Sequence, residues 1–335
     1  MRRWFVIAAA LLVALGLVGA AHAGTLKMKG AHYFDDDHAW NKGYLKFREV
    51  IRARTNGALD LEIYNRGVLG SEKDYIQNMM QGALDVSTVS TASAGGFAKE
   101  LTFLDLMFIW KDYPHWERAM DGEIGRRIAD VIEKGTAKGG NPGLKTLGYM
   151  GGSPRHIISR KAGYTTLAEL AGFKIRVQDS PTQIEMWKLL GTIPAVVPYL
   201  ETYNAIQTGV VDGMENEMST AFQMKFHEVG PYISETAHII TVRPFFMSGQ
   251  TWAKLTPEQQ KIVMEAAKEG VALQRATEQK QNDEAVAQMK KAGTKFYVFK
   301  ERQKMMDMTL AIRQRVAKEV GVADIFEMIE REGKK

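Results

Sequence analysis

The sequence predicts an α/β fold built as two similar lobes and crossed by one long helix. Three observations carry this. Helix and strand patterns alternate along most of the chain, which packs helices onto a largely parallel sheet. The order helix, glycine, two apolar residues, aspartate occurs twice, at Gly82-Ala83-Leu84-Asp85 and at Gly209-Val210-Val211-Asp212. From Pro257 to Lys291 nearly every residue is a strong helix former. Two α/β lobes leave a cleft between them, and clefts of this kind take ligands.

The first 23 residues stand apart. Met1-Arg2-Arg3-Trp4 is a positive start, Phe5 to Ala20 is an apolar and small-residue run, and Ala21-His22-Ala23 fits the small-x-small rule for signal peptidase. The expectation is a secretory signal peptide cleaved near Ala23. An uncleaved membrane helix is the rival, but the run is short of the ~20 residues that a bilayer needs. Beyond it no apolar run approaches that length, so the mature chain is expected to be soluble. Without Arg2 and Arg3 the formal net charge falls from +5 to +3, and the remaining basic residues are interspersed with acids. No stripe for nucleic acid results. Cysteine is absent, which excludes disulfides, thiolate metal sites and cysteine nucleophiles.

Taken in order, "TLKMKGAH" is an opening strand, and "AWNKGYLKFREVIRAR" is a helix stopped by Thr55-Asn56-Gly57. "ALDLEIYN" alternates as a strand, "EKDYIQNMM" is a helix ended by Gly82, and "ALDVSTVS" returns to the sheet. The second lobe repeats the pattern with strand "LAGFKIRV", helix "SPTQIEMWKLLG", strand "IPAVVP", helix "YLETYNAIQTG" and strand "VVDGMEN". In the long helix Thr256 is placed as N-cap before Pro257, Ile262, Val263, Ala266, Ala267, Val271 and Leu273 form an apolar stripe, and Gly270 reads as a flaw. After Phe296 a short strand and a final helix are expected.

Enzyme and cofactor motifs are missing: there is no G-x-S-x-G, H-E-x-x-H, Walker loop or strand-linked G-x-G-x-x-G, and no cofactor is expected. The one candidate metal cluster is "HYFDDDH", with His32, Asp35, Asp36, Asp37 and His38. It keeps open an exported metal-binding protein or enzyme, although consecutive residues rarely converge on one ion. His32 could instead offer a hydrogen bond to a ligand in the cleft. Two arginines are more informative. Arg155, just before an apolar strand, and Arg176, inside "KIRV", can each present a planar fork suited to a carboxylate. The competing reading is a salt bridge to Glu185, Asp179 or Glu169. Asn216 and Glu215 read as turn residues, and Trp187, Tyr199 and Tyr203 as core aromatics.

The stretches "LGYMGGSPRHIIS", "LAGFKIRVQDSPTQIEMWKLLGTIPAVVP" and "YLETYNAIQTGVVDGMEN", with "GALD" and "LTPEQQKIV", carry a resemblance across nearly the whole mature chain. The chain resembles the substrate-binding protein of a TRAP transporter, the tripartite ATP-independent periplasmic system, of the C4-dicarboxylate receptor type. The resemblance implies a two-lobed periplasmic binding protein-like fold with hinge strands. Residues 24–152 and about 242–281 would form one lobe, and 153–241 with about 282–335 the other. It implies no enzyme, a periplasmic location, a small organic-acid anion as ligand, and small and large membrane subunits as partners. Carried over by residue, Arg176 would hold the ligand carboxylate, Arg155 would be a second arginine aimed at it, Asn216 would close over it, and Tyr199 would lie against the ligand. Ser90 and Thr91 would meet its distal end, with Glu72 and His32 as further contacts. Many relatives follow the asparagine with proline, whereas Glu217-Met218-Ser219 follow here. Ser90 is neutral where sialic-acid receptors carry an acid. Ser90, Thr91, Glu72 and the His32 loop together favour a hydroxylated or sugar acid over a bare C4-dicarboxylate.

Overall fold

A computed structural model describes residues 24–335, and the expected signal peptide lies outside the described residues. One nine-stranded sheet runs through the molecule. Its strands are β1 (Leu26–Ala31), β2 (Leu59–Tyr64), β3 (Val86–Thr88), β4 (Leu144–Ser159), β5 (Lys174–Val177), β6 (Ile193–Val196), β7 (Gly213–Glu217), β8 (Tyr232–Ser248) and β9 (Lys295–Val298). The spatial order is β2-β1-β3-β8-β4-β7-β5-β6, with β9 added to β8. That order is symmetric about the antiparallel β8-β4 pair. On one side β1 pairs parallel with β2 and β3, and on the other β5 pairs parallel with β6 and β7. Edge strand β6 carries Pro194 at no cost to an inner ladder.

The repeated Gly-x-x-Asp pattern has a physical cause in this symmetry. Gly82 (φ 74°) and Gly209 (φ 80°) end their helices in the left-handed region. Three residues later each aspartate turns back to its own lobe's first strand: Asp85 accepts the backbone N–H of Lys29 at 2.7 Å, and Asp212 that of Lys174 at 3.2 Å. Each lobe thus stitches its third strand to its first.

The helices form where the caps place them. Ser71 and Asp74 make a capping box for the Glu72–Gln81 helix, and Thr256 with Gln259 makes another for the Pro257–Lys291 helix. The latter has 35 residues, a length of roughly 50 Å. It packs on the Ala39–Arg54 helix and β4, and farther along on the Met218–Gln223 helix, so it touches both halves of the sheet. Val263, Ala266, Ala267 and Val271 are buried as the stripe predicts, whereas Leu273 faces solvent.

Four expectations are corrected. Gly270 is no flaw: a Cβ there would stand 2.7 Å from the Gly43 carbonyl oxygen, and one at Gly43 2.9 Å from the Gly270 oxygen, so the pair lets two helices cross closely. Arg155 lies inside β4, not before a strand. Asn216 and Glu215 lie within β7 and are buried, because that strand continues to Glu217 before any turn. The tail holds two helices, Arg302–Glu319 and Ala323–Glu332, the second packed on the helices Tyr113–Asp121 and Glu123–Thr136. Among the described residues no helix is long and apolar enough to cross a membrane.

Three apolar clusters hold these parts together. One, with Met28, Tyr44, Phe47 and Phe245, lies under the β1 side, and a second, with Ile158, Ile206, Met214 and Met289, lies under the β5 side. The largest joins Trp116 and Ile128 to Phe173, Trp187 and the tail residues Met305 and Phe326.

Candidate ligand-binding site

The loops that follow β1, β5, β6 and β7 meet the start of the Glu72–Gln81 helix around a cavity of about 290 Å³. Ligands collect at this place in sheets of this type, because strand ends and helix starts leave polar groups facing one crevice. Both halves of the sheet contribute to its wall, including Tyr33, Glu72 and Ser93 from one and Arg176, Tyr199 and Asn216 from the other.

Arg176 is 3% exposed. Its Nε donates to the Val197 carbonyl at 2.9 Å, which fixes the plane of the guanidinium, and the group lies 5.6 Å from the Tyr199 ring centroid. Among the described residues it forms no ion pair and its terminal nitrogens donate to no acceptor. Burial pulls its pKa down to about 10, partly offset by Glu215, so at neutral pH it remains a cation. A buried cation with free donors facing a cavity is arranged to receive an anion.

Arg155 also lines the cavity and is equally buried, but its fork is occupied. It donates to both carboxylate oxygens and the carbonyl of Glu215, and at 2.6 Å to Glu217. The competing salt bridges are not formed: Asp179 pairs with Lys73, Glu185 with Arg315, and Glu169 accepts backbone N–H groups of Thr165 and Thr166. Burial alone would raise Glu215, but Arg155, with the His238 ring 3.3 Å away, holds it at about 2. Glu217 is also held below the usual carboxylate range: Arg155 and then Arg243 outweigh the burial that opposes them.

Asn216 is in reach of the cavity, donating to the Tyr199 hydroxyl at 3.3 Å and accepting from the Glu217 N–H at 2.9 Å. Tyr199 stacks on Tyr33 from the opposite half, with centroids 5.8 Å apart and planes 13° from parallel. Its role is to wall the cleft as well as to fill it. Trp187, by contrast, is core. Across the mouth Lys73 reaches Asp179 at 2.5 Å.

On the β1 side Glu72 lines the cavity, with one oxygen accepting from Ser90 at 2.5 Å and from Ser93 at 2.7 Å. Ser90, Thr91 and His32 stand behind the wall. Ser90 caps a short helix, and Thr91 donates to buried Asp105. His32 meets Asn41 at 3.2 Å and accepts from the Phe34 N–H at 3.2 Å, and burial lowers its pKa to about 4, so it is neutral. It shapes the loop that presents Tyr33 and Phe34. The aspartates of that loop diverge: Asp36, for example, binds Asn65 at 2.7 Å, while His38 caps the next helix. Among the described residues no group of three or more potential ligands could hold a metal.

Sequence reasoning missed Arg243, Lys73, Trp40 and Ser93 as lining residues. Arg243 had a signal of the same kind as Arg176, since it interrupts the apolar run Ile239–Met247. Lys73 follows Glu72 and Ser93 lies two residues after Thr91, but nothing local distinguishes them.

The sequence pattern of the bacterial extracellular solute-binding proteins, family 7, matches residues 30–319. A solute-binding protein of Sulfitobacter sp. strain NAS-14.1 is 32% identical over 326 residues, 96% of each chain. Among solved structures, a TRAP periplasmic solute-binding protein of that Sulfitobacter strain with bound α-D-taluronate matches with a TM-score of 0.85 and 32% identity, covering 92% of this chain and 98% of that one. A TRAP periplasmic solute-binding protein of Pseudomonas putida F1 with bound D-glucuronate matches with a TM-score of 0.85 and 30% identity, covering 91% and 97%.

Proposed function

The chain belongs to the bacterial extracellular solute-binding proteins of family 7, as a TRAP transporter substrate-binding protein of the two-lobed fold, and from that premise we propose that its ligand is a sugar acid with a single carboxylate. The observation that carries this is Arg176, a buried guanidinium that forms no ion pair among the described residues, aimed into a cavity that both lobes line. The ligand carboxylate takes its terminal nitrogens in a bidentate pair, and Asn216 and Tyr199 close over that end. Glu72 answers from the other lobe. A carboxylate is an acceptor only, so it takes hydroxyl protons well and meets a second ligand carboxylate with repulsion. This favours uronates and aldonates over C4-dicarboxylates. The bound uronates of the two related structures support the same class.

The working cycle follows from the placement of these residues. The family is periplasmic, and the chain is exported by its N-terminal signal and cleaved near Ala23. The lobes, 24–152 with about 242–281 and 153–241 with about 282–335, hinge where β4 and β8 shift register between Gly151 and Pro154. A ligand touching both lobes favours the closed form by no more than its differential affinity for the two forms. Small and large membrane subunits then take the closed receptor and draw the ligand across with a sodium gradient.

The test is a thermal-shift screen of the mature protein with D-glucuronate, D-galacturonate, D-gluconate, succinate and malate. A ligand at 100 times its Kd adds about 2.7 kcal/mol of stability. A charge-assisted arginine contact is worth about 1.5–3 kcal/mol, so Arg176→Ala weakens the bound acid roughly 10- to 150-fold by calorimetry. Stabilisation by succinate or malate but by no sugar acid overturns the substrate class, and unchanged affinity in Arg176→Ala overturns the anchor.

A further inference from the structure

Three guanidinium groups, those of Arg155, Arg176 and Arg243, line one small cavity. Left to themselves they would attract ligands carrying two or three negative charges. Two carboxylates intervene, and only one of them, Glu217, lines the cavity. Glu217 is 3% exposed and fully engaged: one oxygen accepts from Arg155 at 2.6 Å, and the other accepts from Thr241 at 2.9 Å and faces Arg243 at 3.5 Å. Glu215 occupies the far side of Arg155 and reaches buried His238 at 3.3 Å. Three positive charges against these two negative ones leave about one positive charge at this end of the pocket, since the neighbouring Asp105 and Glu278, whose pKa values burial raises to about 7, add only part of a negative charge each. Geometry assigns that charge to Arg176, which among the described residues has no carboxylate within ion-pair distance, whereas Arg243, though its Nε has no partner, has Glu217 at 3.5 Å.

We propose that Glu217 is the specificity-determining residue of this pocket: by pairing with Arg155 and offsetting the charge of Arg243 3.5 Å away, it admits ligands with one carboxylate and rejects those with two. The inference rests on the sugar-acid reading and names the residue that sets its charge limit. Position matters as much as charge. Glu217 follows Asn216 directly in β7, and its own N–H binds the Asn216 side chain, so the residue that closes on the carboxylate and the one that cancels the neighbouring arginines are held as one unit. It is also the position at which this chain carries an acid immediately after Asn216. A specificity device of this type works by excluding the wrong ligand more than by improving the right one.

The experiment compares the wild type, Glu217→Gln and the double variant Glu217→Gln/Arg243→Gln, each checked for a cooperative melt, by calorimetry. The probes are D-glucuronate, D-gluconate and D-glucarate; the last two share an open six-carbon chain and differ in whether C6 is an alcohol or a carboxylate. The wild type should bind glucarate at least ~10-fold more weakly than gluconate, as one unanswered charge contact requires. Glu217→Gln should shrink or reverse that ratio, and the double variant, which returns the arginine end to one positive charge, should restore it. A purely structural role for Glu217 would weaken all three acids alike and show no restoration, and that result overturns the proposal. So does an unchanged ratio in Glu217→Gln, or a wild type that binds glucarate as tightly as gluconate. If the wild type binds the two monocarboxylates and only the ratio fails to move, the filter alone falls. If it binds none of the three, the sugar-acid reading falls and the filter with it.

Discussion

Arg155 and Arg176 are equally buried, 3% exposed each, and differ only in what answers them. The pairing of Arg155 with Glu217 comes from the β4-β7 register, in which those residues face each other 62 positions apart in sequence. No local pattern can show that, which is why a strand arginine could be recognised as an anion holder from the sequence while the choice between two such arginines could not. Asp105 offers a test of the same physics with the sign reversed. It is 3% exposed, one of its oxygens has no partner, and burial pushes its pKa up to about 7 against the pull of Thr91, Ser180, Arg243 and Arg155. The folded state therefore binds this proton more tightly than the unfolded state, whose aspartate titrates near 3.8. The resulting stability is fully present below that value and is lost as pH rises through about 7, with an upper limit of about 4 kcal/mol. Asp105→Asn cannot titrate, so the wild type should gain stability relative to it as pH is lowered from 7 to 4 in urea unfolding. The histidines whose pKa burial lowers, such as His32, slope the opposite way but are common to both proteins and cancel in the difference. Parallel pH curves would show that Asp105 is not held protonated by its surroundings.

Among the elements, the helices and the short parallel strands were legible because each carries its own signals: a cap, a terminating glycine, an alternation of about four residues. The two longest strands were not. β4 and β8 run for 16 and 17 residues, but register shifts at Gly148, Pro154 and Ile157 reset which side chains face inward, so no single alternation extends along them. The function of Gly270 was likewise invisible, since its reason lies in Gly43, on another helix. In an open helix Gly→Ala is favourable by about 1 kcal/mol. Here the added methyl meets the Gly43 carbonyl oxygen at 2.7 Å, a backbone atom that cannot swing away. Gly270→Ala should therefore destabilise the protein by about 1–3 kcal/mol, the usual cost of overpacking. Denaturant unfolding measures this directly. A gain in stability would mean that the two helices can separate without loss.

At the scale of the molecule, the symmetric strand order places two sets of parallel strands at the ends of one antiparallel pair, and β4, β8 and the long helix run between them. Across the cleft itself the contacts include the Lys73–Asp179 pair, the Tyr33–Tyr199 stack, the edge contact of Phe34 with Tyr199 and His38 near Thr220 at 3.4 Å, while away from it the largest apolar cluster joins Trp116 and Ile128 to Phe173 and Trp187. The side chains of the ion pair are 53% and 59% exposed, a setting in which such pairs contribute about 0–1 kcal/mol. Closing the cleft also desolvates Arg176, which costs free energy until an anion meets it. These terms leave the closed form dependent on ligand. The chain has no cysteine, so labels can be placed at will. Val68, after β2, and Val210, before β7, are exposed, at 66% and 64%, in opposite halves of the molecule. Spin labels on Val68→Cys and Val210→Cys should report a broad distance distribution without ligand and a narrow one, displaced from it, with saturating D-glucuronate or whichever sugar acid binds. In an Arg176→Ala background a concentration just sufficient to close the wild type should leave the broad distribution in place, because the acid, held roughly 10- to 150-fold more weakly, no longer bridges the lobes. One narrow distance under all conditions would mean that the lobes are rigidly joined, and that the receptor signals its ligand by something other than closure.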